Sequence, residues 1–115
     1  ARYESERAKD SALAATEGID AALQANRLDA LLFPQSDGAG ISARPGYPTV
    51  IVPFGMVPNA MEDLPAGFEP KPGPFGVSFA GTACSEPRLI ALAYAFEQAA
   101  NARRAPTYAR TAALQ

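Results

Sequence analysis

Apolar positions in this chain follow two spacings, and the spacing changes along the sequence. From about Ser5 to Asn26, Leu13, Thr16, Ile19, Ala22 and Leu23 recur every three or four residues, the period of one helical face. Ala, Leu, Glu, Gln, Lys and Arg fill the positions between them, all good helix formers. Gly18 interrupts the stripe and predicts a kink or break. Asn26 is expected to close the helix in the left-handed conformation, with Leu28 folding back on the last turn.

Three short apolar runs follow. Asp29 to Phe33, closed by Pro34, and Thr49 to Phe54, with Val50, Ile51 and Val52 all β-branched, predict strands buried on both faces. Phe75 to Ala80 alternates: Phe75, Val77 and Phe79 share one face, Gly76, Ser78 and Ala80 the other, where small residues admit close approach. Five prolines from Pro58 to Pro74 break the long segment between the last two strands. A wide hairpin with an elaborated tip is the simplest geometry, with Glu62, Asp63, Glu69 and Lys71 in solvent.

A final helix is predicted from Ser85, an N-cap residue, with Pro87 tolerated in the first turn and Glu86 complementing the dipole. Leu89, Leu92, Ala93, Phe96, Ala99 and Ala100 form its buried stripe, with Tyr94 at the rim. Arg103 and Arg104 suit its negative end, and Pro106 stops it. The order helix, strand, linker, strand, long loop, strand, helix is α/β in class.

Composition narrows the function. At 115 residues and 48% hydrophobic, the chain is at most one ordinary globular domain. Its net charge is −2 and its longest run of cations is the pair Arg103-Arg104, too little for a nucleic-acid surface. No apolar run approaches the roughly 20 residues of a membrane helix, and no signal peptide is evident. A cytoplasmic setting is the expectation. Ala1 in place of Met fits either Met removal or a cut from something longer. Cys84 stands alone, so no internal disulfide forms, and it is expected to be a small buried hydrophobe. Histidine is absent, which removes Ser-His-Asp and Cys-His catalysis and argues against zinc; no metal or cofactor is expected.

Candidate chemistry is sparse. Gln35-Ser36-Asp37-Gly38-Ala39-Gly40-Ile41-Ser42 follows a strand, where loops carry polar groups into ligand crevices. No Lys follows it and Pro45 argues against an immediate helix, so a plain tight connection and a pocket wall both fit. Ser36, Ser42, Ser78 and Ser85 are the hydroxyl candidates, but neither lysine lies near one in sequence, and no activating pair is recognisable. Asp20 reads as helix surface and Asp29 as the turn before a strand; neither receives a catalytic role.

Taken in order, five blocks resemble the last section of the amidase-signature family. They are Gly18-Ile19-Asp20-Ala21-Ala22-Leu23, Leu28-Asp29-Ala30-Leu31-Leu32-Phe33-Pro34, Gly46-Tyr47-Pro48-Thr49-Val50-Ile51-Val52-Pro53, Phe75-Gly76-Val77-Ser78-Phe79-Ala80-Gly81 and the Glu86-to-Ala100 helix. The resemblance covers roughly residues 5 to 104 and implies the C-terminal portion of a large mixed sheet flanked by helices. Residues 105–115 would be a loose tail. Such enzymes hydrolyse carboxamides with a nucleophilic Ser, a cis-Ser and a Lys borne on a Gly/Ser-rich signature. No Gly-Gly-Ser-Ser run exists here, so no catalytic residue carries over.

What the resemblance does imply is scaffold, with Gln35, Ser36, Asp37 and Gly38 as a wall of the substrate pocket. The short segment from Pro34 to Gly46 and Pro45 itself depart from the family pattern. The implied partners are the remainder of an amidase polypeptide or a second copy, with a small amide as the parent's substrate. A free-standing, non-catalytic binding or assembly module is the alternative.

Overall fold

The computed structural model describes residues 2–59, 67 and 71–106. Helix α1 (Arg2–Ala14) runs through a π-helical turn (Ala15–Ile19) into α2 (Asp20–Asn26). The order continues with β1 (Leu31–Pro34), α3 (Ala39–Ala43), β2 (Thr49–Val57), β3 (Gly73–Ala80) and α4 (Glu86–Ala100). The strands form one antiparallel sheet with β3 in the middle, in the order β1-β3-β2. The α/β class holds among the described residues.

Gly18 bends the helix phase without breaking the helix. The Asp20 N–H donates to the Ala15 carbonyl, five residues back, and a Cβ on Gly18 would stand 2.5 Å from the Leu13 carbonyl oxygen. A π-turn holds one extra residue, so the face beyond it rotates by about 100°. The stripe expected from spacing therefore fails at its start. Leu13 is 50% exposed and Thr16 is exposed, whereas Ala14, Ala15, Ile19 and Leu23 are buried. The helix ends one residue later than expected. Arg27, not Asn26, takes the left-handed conformation (φ 51°), and the Leu28 N–H reaches the Leu23 carbonyl at 2.9 Å.

The linker holds a one-turn helix, α3, despite Pro45, because Pro45 falls two residues past its end. Strand β2 extends three residues beyond the expected Phe54. A bulge between Pro53 and Gly55 leaves Phe54 without a partner in the β3 register, which hides the continuing strand from a search for alternation.

The core lies between the sheet and α4. Phe79, Leu89 and Ala93 are buried together, with Val50, Val52, Val77, Leu92 and Phe96 packed around them. Phe54 stacks on Phe96 at 6.4 Å between centroids, and Phe79 meets Phe96 edge-on at 5.8 Å. Ala99 and Ala100 are exposed, because α4 runs past the sheet and Asn101 closes it in the left-handed region before Pro106 is reached. Ser85 does not cap the helix with its side chain. Its hydroxyl donates instead to the Thr82 carbonyl at 2.7 Å. Cys84 is exposed, with φ at +60°, since it sits in the tight turn before α4 and not in the core.

Neither outer strand is buried on both faces. Leu32 is 61% exposed, Ile51 54% and Phe54 53%, so much apolar surface lies open. The outer edges themselves are blunted. The Gly81 N–H donates to the Pro48 carbonyl at 3.3 Å and the Gln35 N–H to the Gly76 carbonyl at 2.8 Å. Carried along the two ladders, that phase turns the nitrogens of Pro53 on β2 and Pro34 on β1 outward. Proline has no N–H to offer there, a device that discourages edge-to-edge pairing. The open apolar surface thus lies mainly on the faces of the sheet.

No described helix is long and apolar enough to cross a membrane. Glu62, Asp63, Glu69 and residues 107–115 lie outside the described residues, while Lys71 is exposed.

Candidate functional site

The loop after β1 is held from two sides. Gln35 adopts a left-handed backbone (φ 51°), which reverses the chain directly after the strand. Its N–H is bonded to the Gly76 carbonyl, and its own carbonyl accepts the Ser78 hydroxyl. The Asp37 N–H returns to the Pro34 carbonyl at 3.1 Å, and the Ala39 N–H to the Ser36 carbonyl at 2.9 Å, so the turn is tight throughout.

The four residues expected to form a pocket wall therefore have different places. Gln35 lines the rim of a trough of ≈ 410 Å³ at the end of the sheet. Ser36 and Asp37 are exposed on the turn. Gly38 is buried under the Phe33 ring, where a Cβ would lie 2.3 Å from Cδ2 of that ring.

The trough is mainly apolar, floored by Ile51, Val52, Pro53, Met56, Pro74 and Phe75. Arg103 and Arg104, just past the end of α4, close its far side. Sequence reasoning puts these arginines at the negative end of the helix. It misses their position on the trough because Asn101 redirects the chain before either is reached.

A second polar feature is also hidden from the sequence. The Tyr47 hydroxyl donates to Asp20 Oδ2 at 2.7 Å, across 27 residues. Gly46, at φ 77°, permits the turn that aims Tyr47 there, and the Tyr47 N–H is fixed by the Ser42 carbonyl at 2.8 Å. Asp20 is accordingly half-buried, not plain helix surface. The bond to Asp20, then burial, then the carboxylate's charge, push the Tyr47 phenol above its ordinary 10.0.

Because the raised value belongs to the folded state, the neutral phenol's contribution is whole below pH 10 and lost as pH climbs through the folded value. Tyr47→Phe should cost about 1.5 kcal/mol, since it strips a half-buried carboxylate of its donor. Urea titrations of both proteins should show that gap from neutral pH to the edge of phenol ionisation, closing above it.

Among the described residues, no base is bonded to any of the four candidate serines. Ser78 is buried and its proton is committed to the Gln35 carbonyl. The Ser85 proton is committed to Thr82. Ser42 is 1% exposed, and its Oγ has no hydrogen-bond partner among the described residues. A base must reach the hydroxyl it activates, and no hydrogen bond joins Lys9 or Lys71 to Ser36 or Ser42 among the described residues. Asp29 pairs with Arg88 at 3.0 Å on the surface. No group of three or more His, Cys, Asp or Glu side chains among the described residues could hold a metal.

Comparison with known proteins then fixes the lineage. No family model matches the chain. A "probable amidase" of Arabidopsis thaliana is 36% identical over 91 residues, 79% of this chain and 15% of that protein. The native peptide amidase of Stenotrophomonas maltophilia superposes with a TM-score of 0.76 and 38% identity, over 92% of this chain and 22% of that one. The peptide amidase in complex with the competitive inhibitor chymostatin gives a TM-score of 0.74 at 37% identity, over the same shares. The chain spans 15% of the length of the curated relatives it matches. With five sequence blocks in the family's order and a fold that superposes on these enzymes over nearly its whole length, the chain matches a segment of the amidase-signature enzymes.

Proposed function

We propose that these residues are the C-terminal scaffold of an amidase-type C–N hydrolase acting on carboxamides in the cytoplasm. In that reading the three strands extend a larger mixed sheet, and the nucleophile and its base stand upstream of this chain. One observation carries it: the likeness to peptide amidase covers 92% of this chain but only 22% of the enzyme. The half-exposed apolar residues on the sheet faces support it, as does the absence of an activated serine among the described residues.

The scaffold's part in the chemistry is positional. The turn from Gln35 to Gly38 is locked by backbone bonds and by Ser78, so it can present a fixed wall to a small amide. The purified chain should therefore show no turnover of amide or ester substrates. Saturable hydrolysis that disappears on substitution of one serine would overturn this reading.

A further inference from the structure

The trough beside β2 does not end at Arg104. Gly55, Met56, Ala102 and Arg104 also border a second depression of ≈ 660 Å³, which is lined in addition by Lys71, Pro72 and Asn101. Three cations, Lys71, Arg103 and Arg104, thus stand around two adjoining depressions, the first mainly apolar and the second of mixed character. None of their side chains enters an ion pair or hydrogen bond among the described residues, as is true also of those of Arg7, Lys9 and Arg27, whereas Arg2, Arg44 and Arg88 are each paired with a carboxylate. What sets the three apart is their place around the two depressions.

Unpaired arginines beside an apolar floor favour an occupant with both characters. A guanidinium fork binds carboxylate oxygens in pairs, and the apolar floor gains from contact that excludes water. Nucleic acid would leave the floor unsatisfied, and a small carboxylate would leave much of the two depressions empty. An extended polypeptide segment can cover both depressions at once, and Pro53 keeps it from simply adding a strand to the β2 edge.

We propose that these two depressions together seat an extended acidic segment of the amidase polypeptide outside these residues. Its apolar side chains lie over Ile51, Met56 and Phe75, and its carboxylates lie on Arg103, Arg104 and Lys71. This inference rests on the scaffold reading and deepens it.

The test uses the whole chain and a fluorescein-labelled peptide of alternating Glu and Leu, with a Lys and Leu peptide of equal length as control. Fluorescence anisotropy should report binding of the acidic peptide only. The double variant R103E/R104E should weaken it about tenfold or more, R103K/R104K much less, and salt raised to about 0.5 M should weaken it for the native chain. Equal binding of both peptides, no binding, or indifference to charge reversal overturns the proposal. Sedimentation supplies the other occupant: a dimer that R103E/R104E dissociates gives the two depressions to a second copy and likewise overturns it. The variants' unfolding curves, unchanged because both arginines are exposed, show that folding is not the cause. The amidase reading stands or falls separately, on hydrolysis by a chimeric enzyme.

Discussion

Leu89→Ala is expected to remove much of the chain's stability and to lower its urea midpoint sharply. Leu89 is 0% exposed at the centre of the contact between α4 and the sheet, against Phe79 and Ala93. Emptying such a site loses the transfer energy of the removed carbons and leaves a cavity, about 2–5 kcal/mol in all. Collapse around the void is limited from one side, because Leu89 methyls already lie 3.2 and 3.3 Å from where a Gly81 Cβ would stand. A small domain has only about 5–15 kcal/mol to lose, and one with this much open apolar surface sits toward the lower end. The adjoining Ile90 is 58% exposed, so Ile90→Ala should cost under about 1 kcal/mol. Urea denaturation followed by circular dichroism should separate the two variants clearly. Equal midpoints would mean that α4 does not pack as described.

Gly38→Val is the second large effect, and it reaches the candidate pocket wall. The Phe33 ring covers Gly38 so closely that a Cβ would lie 2.3 to 2.8 Å from three ring carbons. The ring cannot stay, and its departure uncovers the end of β1 and pulls on the turn that holds Gln35. Overpacking of this kind costs about 1–3 kcal/mol, and a β-branched side chain falls at the upper end. Gly40, two residues on, has open space where a Cβ would stand, with nothing within 4 Å, and Gly40→Ala should be neutral or slightly stabilising in α3. Thermal melts of the two variants test the difference. A Gly38→Val protein as stable as the Gly40→Ala one would remove Phe33 from its place over the turn.

Local pattern carries the fold a long way. The three strands and α4 are legible because their apolar runs and the Ser85-Glu86-Pro87 start are written in neighbouring residues. The failures have local causes too. A π-turn at Gly18 rotates the helical stripe, a bulge at Phe54 conceals the end of β2, and Asn101 ends α4 ahead of Pro106. Each changes backbone phase without changing composition, so periodicity passes over it.

The candidate site is less legible, since its parts meet across the fold. Gln35 stands out because it follows a strand. Its restraint by Ser78 spans 43 residues and Tyr47 to Asp20 spans 27, distances at which a single sequence carries no pairing signal. Arg103 and Arg104 are visible as a charged pair but read as part of the helix end, because nothing local shows the chain turning toward Met56 and Phe75.

The most direct measurement replaces the matched 22% of Stenotrophomonas maltophilia peptide amidase with this chain and assays the product for amide hydrolysis. Retained, saturable hydrolysis by the chimera is the result expected of a scaffold that completes the enzyme's sheet. A chimera that folds cooperatively yet hydrolyses nothing would contradict it.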